Sequence, residues 1–259
     1  MTATSAARST QASRVSFGGT FASELLKARS LRSTWWLSAS AVISMALITA
    51  FWTVAGPQPT EQNVLDAVAK GFGACEILII LIGTLIATAD YEHHAISVFL
   101  AAVPRRTPVV LAKVLLSAVI GLAVAGVATV LAFPISTALH GGGASFADPG
   151  VLRVLGEITL FGACVSAIAT SVGLVFRSTI ATLGVTLGFL YLVPIVISFI
   201  PLDIFTLISD TFPGNAATNF FGTTADPSRL DPITGLIATL AWTTAWVVFA
   251  AAWIKRRNA

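Results

Sequence analysis

The fold of this chain is decided by residues 151–201, which read VLRVLGEITLFGACVSAIATSVGLVF, then RST, then IATLGVTLGFLYLVPIVISFIP. Each of the two apolar runs reaches the roughly 20 residues that a helix needs to cross a bilayer. Within lipid, backbone polar groups must be satisfied inside their own segment, so each run is predicted to be a helix. Because only Arg177, Ser178 and Thr179 separate the runs, they predict a tight hairpin of two transmembrane helices.

Four further apolar runs give a total of six predicted spans. The chain has 259 residues, of which 56% are hydrophobic and 10% charged, whereas soluble domains carry about 25% charged residues. Alternating strands of a membrane barrel are absent. The sequence therefore predicts an all-α integral membrane protein. The predicted spans, from first to sixth, are residues 35–56, 72–89, 109–139, 151–176, 180–201 and 233–254.

The basic residues predict the orientation. With six spans, 12 of the 15 Lys and Arg residues fall on the side of the two termini, and seven of the 12 Asp and Glu residues fall on the other side. An excess of Lys and Arg marks cytoplasmic segments. We therefore expect a multi-pass protein of the cell membrane with both termini in the cytoplasm.

The ends of the chain are predicted to be cytoplasmic. Residues 1–19 are rich in Ser, Thr, Ala and Arg without an apolar period, which favours a disordered tail. Residues 20–254 then form one transmembrane domain, and residues 255–259 form a basic tail. The outer segment 202–232 is too apolar for a free linker, so it is expected to pack against the bundle or to enter the membrane interface.

Residues 20–33 predict a helix ahead of the first span, with Thr20 as its N-cap. This helix either lies in the membrane surface as an elbow or is a charged extension of the first span. Its two faces are predicted as follows: Phe21, Leu25 and Ala28 on the apolar face, and Glu24, Lys27 and Arg32 elsewhere.

The segment between the second and third spans predicts a short amphipathic helix. Asp90 is a possible N-cap and Pro104 ends the helix. Ile96, Phe99, Leu100 and Val103 follow the i, i+3, i+4, i+7 pattern. Such a helix buries its apolar face either in the lipid headgroups or in a groove of a soluble partner. The candidate coupling residues are Asp90, Glu92, His93, Ile96, Phe99, Leu100, Val103, Pro104, Arg105 and Arg106.

Two carboxylates fall within predicted spans, where ionisable side chains are costly and often functional. Glu76 is near the outer end of the run that begins at residue 72, and no charged partner is close to it in sequence. It either faces a polar cavity or reaches toward the interface. Glu157 follows Arg153 by four residues, so the two side chains share a helix face and are expected to pair. Both carboxylates are candidates for the substrate path.

Small residues in the fourth and fifth spans predict close helix packing. Gly184 and Gly188 form a G-x-x-x-G pattern, and Ala163, Ala167 and Ser171 recur at the same interval. Such residues let two helix backbones approach each other. The packing is predicted either within this chain or between two chains.

No enzyme motif is complete. His140 begins an HGGG sequence, but the G-x-S-x-G nucleophile elbow that should accompany it is absent. Nor does the chain contain a P-loop or H-E-x-x-H. Cys75 and Cys164 lie far apart in apolar runs and form no metal motif. We therefore expect no catalysis, metal or cofactor in this chain, and the uneven charge does not suit a nucleic-acid binder.

The segment between the second and third spans resembles that of permease subunits of type-2 ABC transporters. The resemblance consists of four features in order: an acidic residue, an apolar stretch that contains leucine, the pattern A-x-P-x-[RK], and a basic residue at the start of the next span. The layout of a basic tail, a surface helix and Trp35-Trp36 at the start of six spans is also similar. The matching residues are Glu92, Ile96, Leu100, Ala102, Pro104, Arg106 and Lys113.

The resemblance implies a subunit that dimerises, with itself or with a related permease, and binds two copies of a separate ATPase. ATP and Mg²⁺ would be bound by that ATPase. Residues 90–103 would form the coupling helix that docks in the ATPase, and the elbow helix, with Phe21, Glu24, Leu25 and Lys27, would brace it. Cargo would be a hydrophobic or amphipathic compound moving outward along spans one, two and five. The alternative function is a secondary transporter or channel that works without an ATPase.

Overall fold

The structure, a computed structural model, describes residues 17–56, 60–92, 107–142, 144–220 and 230–256. These parts of the chain are helical and contain no strand. Six of their helical segments are long and apolar enough to cross a membrane, as predicted. The helices are α1 (Phe17–Ser30), α2 (Arg32–Ala55), α3 (Glu61–Glu92), α4 (Thr107–His140), α5 (Pro149–Phe176), α6 (Thr179–Leu187), a π-helical turn (Gly188–Leu192), α7 (Val193–Ser198), α8 (Asp203–Thr211), α9 (Pro213–Phe220) and α10 (Pro232–Arg256).

The spans correspond to α2, α3, α4, α5, the α6–π–α7 segment and α10, in that order. Two of them are longer than a bilayer requires. At 1.5 Å per residue, the 34 residues of α4 extend about 51 Å, against a hydrocarbon thickness of about 30 Å. The second span, α3, begins at Glu61 rather than at the start of its apolar run, residue 72. Both helices therefore project beyond the hydrocarbon layer or tilt within it.

The fourth span is the centre of the bundle. In its most apolar stretch, 83% of the residues of α5 are buried, against 22% in α2 and 17% in α10. It packs most extensively on α4 and then on α3. The largest side chains enclosed there include Phe72, Phe133, Ile158 and Phe161, and the rings of Phe72 and Phe161 are 6.0 Å apart. The outer surfaces of α2, the fifth span and α10 remain open, as lipid-facing helices require.

The close helix contacts involve different glycines from those expected. A Cβ on Gly121 of α4 would lie 2.5 Å from the Gly162 carbonyl oxygen, and no side chain larger than hydrogen fits there. Gly184 and Gly188 have no atom within 4 Å of such a Cβ. The prediction that they pack closely within this chain is therefore wrong, and only packing between two chains stays open for them. The small residues of α5 do pack inside the bundle, as Ala167 and Ser171 are buried.

The hairpin between the fourth and fifth spans has the predicted tight turn. Arg177 has a φ of 57°, the left-handed conformation that ends many helices, and its N–H donates to the Gly173 carbonyl at 2.9 Å. Ser178 caps α6, because its hydroxyl accepts from the Ala181 N–H. Residues 177–179 therefore end one helix and begin the next. This short connection is why the two spans lie antiparallel and adjacent.

Hydrogen bonds hold α8 and α9, which belong to segment 202–232, against the bundle, which is one of the two expected placements. The hydroxyl of Ser209 donates to the Pro194 carbonyl at 2.9 Å, and the Asn215 amide donates to the Ser209 carbonyl at 3.2 Å. Gly214 lies so close to the Leu190 carbonyl that a Cβ would collide with it. The short helices α8 and α9 thus lie against the π-helical turn and α7 of the fifth span.

Candidate functional site

A buried group of charges links α1 to the third span. The Lys113 ammonium is 2.7 Å from Oε2 of Glu24, and the Lys27 ammonium is 2.8 Å from Oε1. Lys113 also donates to the Ile86 carbonyl at 3.3 Å. Glu24 and Lys113 are each about 5% exposed, so water does little to solvate them. We call Glu24, Lys27, Lys113 and the Ile86 carbonyl the Glu24 anchor.

The position of Glu24 overturns one prediction about the elbow helix. Glu24 was expected on the polar side, but α1 buries Thr20, Glu24 and Ala28, while Phe21 and Leu25 are only half-buried. An ion pair with Lys113 makes this burial possible, because a paired carboxylate tolerates a dry site that an unpaired one does not. Periodicity alone treats every Glu as solvent-facing and has no means of finding a partner 89 residues away.

The start of α1 also differs from the prediction. The helix begins at Phe17, so Thr20 lies inside it and is not its N-cap. The Thr20 carbonyl accepts from the Ser23 hydroxyl at 2.8 Å instead. The helix itself is confirmed. Its placement in the membrane surface stays a prediction.

The Glu24 anchor contacts both helices that lead to the predicted coupling segment. Ile86 lies in the last part of α3, and Lys113 lies in the first part of α4. Glu24 of α1 therefore contacts the beginning of α4 directly and the end of α3 through Lys113.

The coupling residues themselves are only partly within the described structure. The backbone of α3 continues through Asp90 to Glu92, so Asp90 is inside a helix and the prediction that it caps a new one is wrong. The other coupling residues lie outside the described residues. They are His93, Ile96, Phe99, Leu100, Val103, Pro104, Arg105 and Arg106.

Glu76 is buried near the middle of the bundle. Because α3 begins at Glu61 and ends at Glu92, Glu76 lies at the midpoint of the helix and not near its outer end, which corrects the sequence-based position. The residue is 5% exposed, so its carboxyl group does not reach toward the interface. The hydroxyl of Tyr191, from the fifth span, lies beside this carboxyl group. The Oε1 atom of Glu76 has no hydrogen-bond partner among the described residues.

Tyr191 owes its position to an irregular part of the fifth span. It lies in the π-helical turn Gly188–Leu192, where the Val193 N–H donates to the Gly188 carbonyl. Pro194 follows this turn and has no backbone N–H to donate, so the regular series of helical backbone hydrogen bonds is interrupted here. Such π-helical turns are uncommon and often mark functional places in helices. Tyr191 is 37% exposed, so its ring connects the buried carboxyl group of Glu76 to the outer face of the span.

Aromatic rings hold the irregular turn against the sixth span. The ring of Phe189 lies 5.3 Å from Phe212, 5.1 Å from Trp242 and 5.4 Å from Trp246. The T-shaped geometry at both tryptophans is the favoured arrangement of aromatic pairs. The fifth span is therefore fixed at its kink by rings on one side and by α8 and α9 on another.

Glu157 is paired as the sequence predicts. Nε of Arg153 lies 3.7 Å from Oε1 of Glu157, one helical turn away on α5. The Arg153 side chain is 49% exposed, so this is a partly solvated surface pair. The structure does not bring Glu157 together with Glu76 through any described contact. Of the two candidates for the substrate path, Glu76 is the one that is buried between two spans.

A group of hydroxyls between the second, third and fourth spans was not predicted. Ser117 and Ser166 share a hydrogen bond of 2.6 Å, and Thr170 donates to Ser117 at 2.6 Å or to the Gly83 carbonyl at 2.9 Å. These bonds join α3, α4 and α5, and hydroxyl contacts of this kind favour helix association in membranes. Because Ser and Thr are common in spans, their sequence positions gave no signal of this contact.

The described residues contain no group of three or more His, Cys, Asp or Glu side chains that could hold a metal ion. Cys75 and Cys164 are buried, and each is a free thiol.

Comparison with protein-family models, with curated proteins and with solved structures finds no match to this chain. The resemblance to ABC permeases therefore depends on the residues quoted for it.

Proposed function

We propose that this chain is the transmembrane permease subunit of an ABC transporter that exports a hydrophobic or amphipathic compound. ATP and Mg²⁺ are bound by two copies of a separate ATPase subunit, and this chain itself catalyses no reaction. A second copy, or a related permease, completes the transport path. The complex lies in the cell membrane with both termini of this chain in the cytoplasm.

The observation that carries the proposal is the Glu24 anchor. An ATPase that moves residues 93–106 must transmit force to the spans without separating the ends of α3 and α4 from the bundle. The anchor supports this role, because Glu24 of α1 pairs with Lys113 after that segment, and Lys113 also donates to the Ile86 carbonyl before it. A buried charge pair also resists displacement, since separating it leaves a charge unpaired in a dry site.

The open face of the fifth span supports the second copy. Among the described residues, no atom lies within 4 Å of a Cβ placed on Gly184 or Gly188, although G-x-x-x-G sequences pack helices together in membranes. Tyr191 is exposed further along the same span. A path between two copies would bring this hydroxyl, and Glu76 behind it, toward the cargo.

Purification of the tagged chain from its own host in a mild detergent tests the proposal. Mass spectrometry should identify a P-loop ATPase at about one copy per permease chain. Phe99→Asp should abolish this co-purification, because it places a charge on the proposed docking face. Phe199→Asp is the matched control at the opposite end of the bundle, where the side chain is 80% exposed, and it should retain the ATPase. Equal recovery of the ATPase with both variants would remove residues 93–106 from the contact.

The second candidate function is a secondary transporter, and Glu76 is the observation that favours it. A buried carboxyl group with one unpartnered oxygen, midway through a span, is a typical feature of a proton or cation relay. Liposomes that contain only this chain and carry a pH gradient decide between the two. Uptake of an amphipathic dye that collapses with the gradient, without any ATPase, would establish this alternative and refute the ABC proposal.

A further inference from the structure

A groove of about 650 Å³ lies between α1, α2 and α4. Its walls are mostly apolar side chains of the three helices, among them Leu25, Val42, Ile43 and Val127. It opens on the outer surface of the bundle beside α2, a helix whose residues are largely exposed. The groove is separate from the Glu24 anchor, because Glu24 and Lys113 do not line it.

The polar groups of the groove are concentrated at one end. Arg29 lies there in the last turn of α1, with its side chain exposed and without an ion pair among the described residues. The Trp35 indole closes this end by donating to the Arg29 carbonyl at 3.1 Å. The Ser38 hydroxyl already donates its hydrogen bond to the Thr34 carbonyl at 2.7 Å. The guanidinium group of Arg29 is therefore the charged group that this end offers to a ligand.

The groove runs from the membrane interface into the hydrocarbon. Trp35 and Trp36 are exposed at the start of the first span, and exposed indoles of this kind lie at headgroup level. From Thr34 to Ile43 the wall rises along α2 by about 13 Å at 1.5 Å per residue. A ligand that fits has an anionic group at the interface and an apolar chain that extends toward the bilayer centre.

We propose that this groove binds one anionic phospholipid from the leaflet on the side of the N-terminus, with its phosphate on Arg29 and an acyl chain along the walls of α2 and α4. Charge selects the lipid, because basic residues near the membrane surface attract anionic headgroups. The bound lipid fills the gap between α1 and the first and third spans. It thereby holds α1 in place beside the Glu24 anchor, whether or not an ATPase is bound.

The first test measures lipid binding to the delipidated full chain in detergent. Native mass spectrometry should show one retained phosphatidylglycerol per chain and much weaker retention of phosphatidylcholine. Arg29→Gln should weaken phosphatidylglycerol binding roughly fivefold, the effect of one basic residue near an anionic headgroup. Arg32→Gln is the matched control, since Arg32 is an exposed basic residue three positions away that does not line the groove. An equal loss with both variants would mean general surface attraction and would overturn the proposal.

The second test fills the groove. Ala123 lines it and Leu122 does not, although both are exposed on α4. Ala123→Trp should therefore abolish phosphatidylglycerol retention, whereas Leu122→Trp should preserve it. Equal retention of phosphatidylglycerol and phosphatidylcholine by the unaltered chain would refute an anionic ligand. If the unaltered chain showed no lipid preference and Ala123→Trp dissociated a dimer, a second copy of the chain would cover the groove instead of a lipid.

Discussion

The Glu24 anchor makes a quantitative prediction about stability. Lys113→Met leaves the Glu24 carboxylate buried with Lys27 as its remaining ammonium partner. Removing one partner of a buried ion pair costs about 3–5 kcal/mol, because the other charge stays in a dry site. Lys27 compensates in part, since its side chain is 32% exposed and 2.8 Å from Oε1. We therefore expect Lys113→Met to lower the free energy of unfolding by about 3 kcal/mol, at the lower end of that range.

The double variant Glu24→Gln with Lys113→Met should recover most of the loss, because it removes both buried charges, and the Lys27 side chain that remains is 32% exposed to water. Two neutral groups of similar volume are often as stable as the buried pair that they replace. The coupling energy between Glu24 and Lys113 should then be about 2 kcal/mol or more, which exceeds the limit for independent sites. The measurement is reversible unfolding in mixed micelles, followed by the fluorescence of the tryptophans.

The control is the pair of Arg153 and Glu157, whose side chains are 49% and 12% exposed, more than those of Glu24 and Lys113. Its atoms are 3.7 Å apart and Arg153 is half-exposed, so Arg153→Met should change stability by at most about 1 kcal/mol. If the effects of Glu24→Gln and Lys113→Met were simply additive, the two residues would not act as a buried pair. If Lys113→Met cost no more than Arg153→Met, the anchor would not hold α1.

Three further predictions concern the spans. Glu76→Gln keeps the volume but removes the ionisable group, so it should lower dye transport in vesicles while stability changes by less than about 1 kcal/mol; Tyr191→Phe tests the contribution of the neighbouring hydroxyl alone. Gly121→Ala should lower the free energy of unfolding by about 1–3 kcal/mol, because the added Cβ would lie 2.5 Å from the Gly162 carbonyl oxygen. Gly156→Ala is the control and should leave stability unchanged, because no atom lies near the added Cβ. Gly214→Ala should displace α9 from the fifth span, because the added Cβ would collide with the Leu190 carbonyl. Limited proteolysis between α9 and α10 should then be faster than in the unaltered chain.

The sequence determined the membrane architecture because apolar length is a local property. Six runs of span length predicted six helices, and the structure has them with ends that differ by a few residues in most cases. The start of α3 is the exception, since Glu61, Asp66 and Lys70 precede its apolar run and the helix nevertheless includes them. The hairpin at Arg177 was also predictable, because three residues leave room only for a helix end and a helix start.

Only the tertiary structure decided which polar groups meet. Glu24 pairs with Lys113 across 89 positions of the chain, and Tyr191 reaches Glu76 from a different span. A pattern along one helix cannot report such contacts, because they depend on the rotation and height of two helices relative to each other. The same holds for the glycines, where Gly121 is at a helix contact and Gly184 is not. Composition fixes that the helices lie in lipid, whereas packing decides which faces meet and which remain exposed.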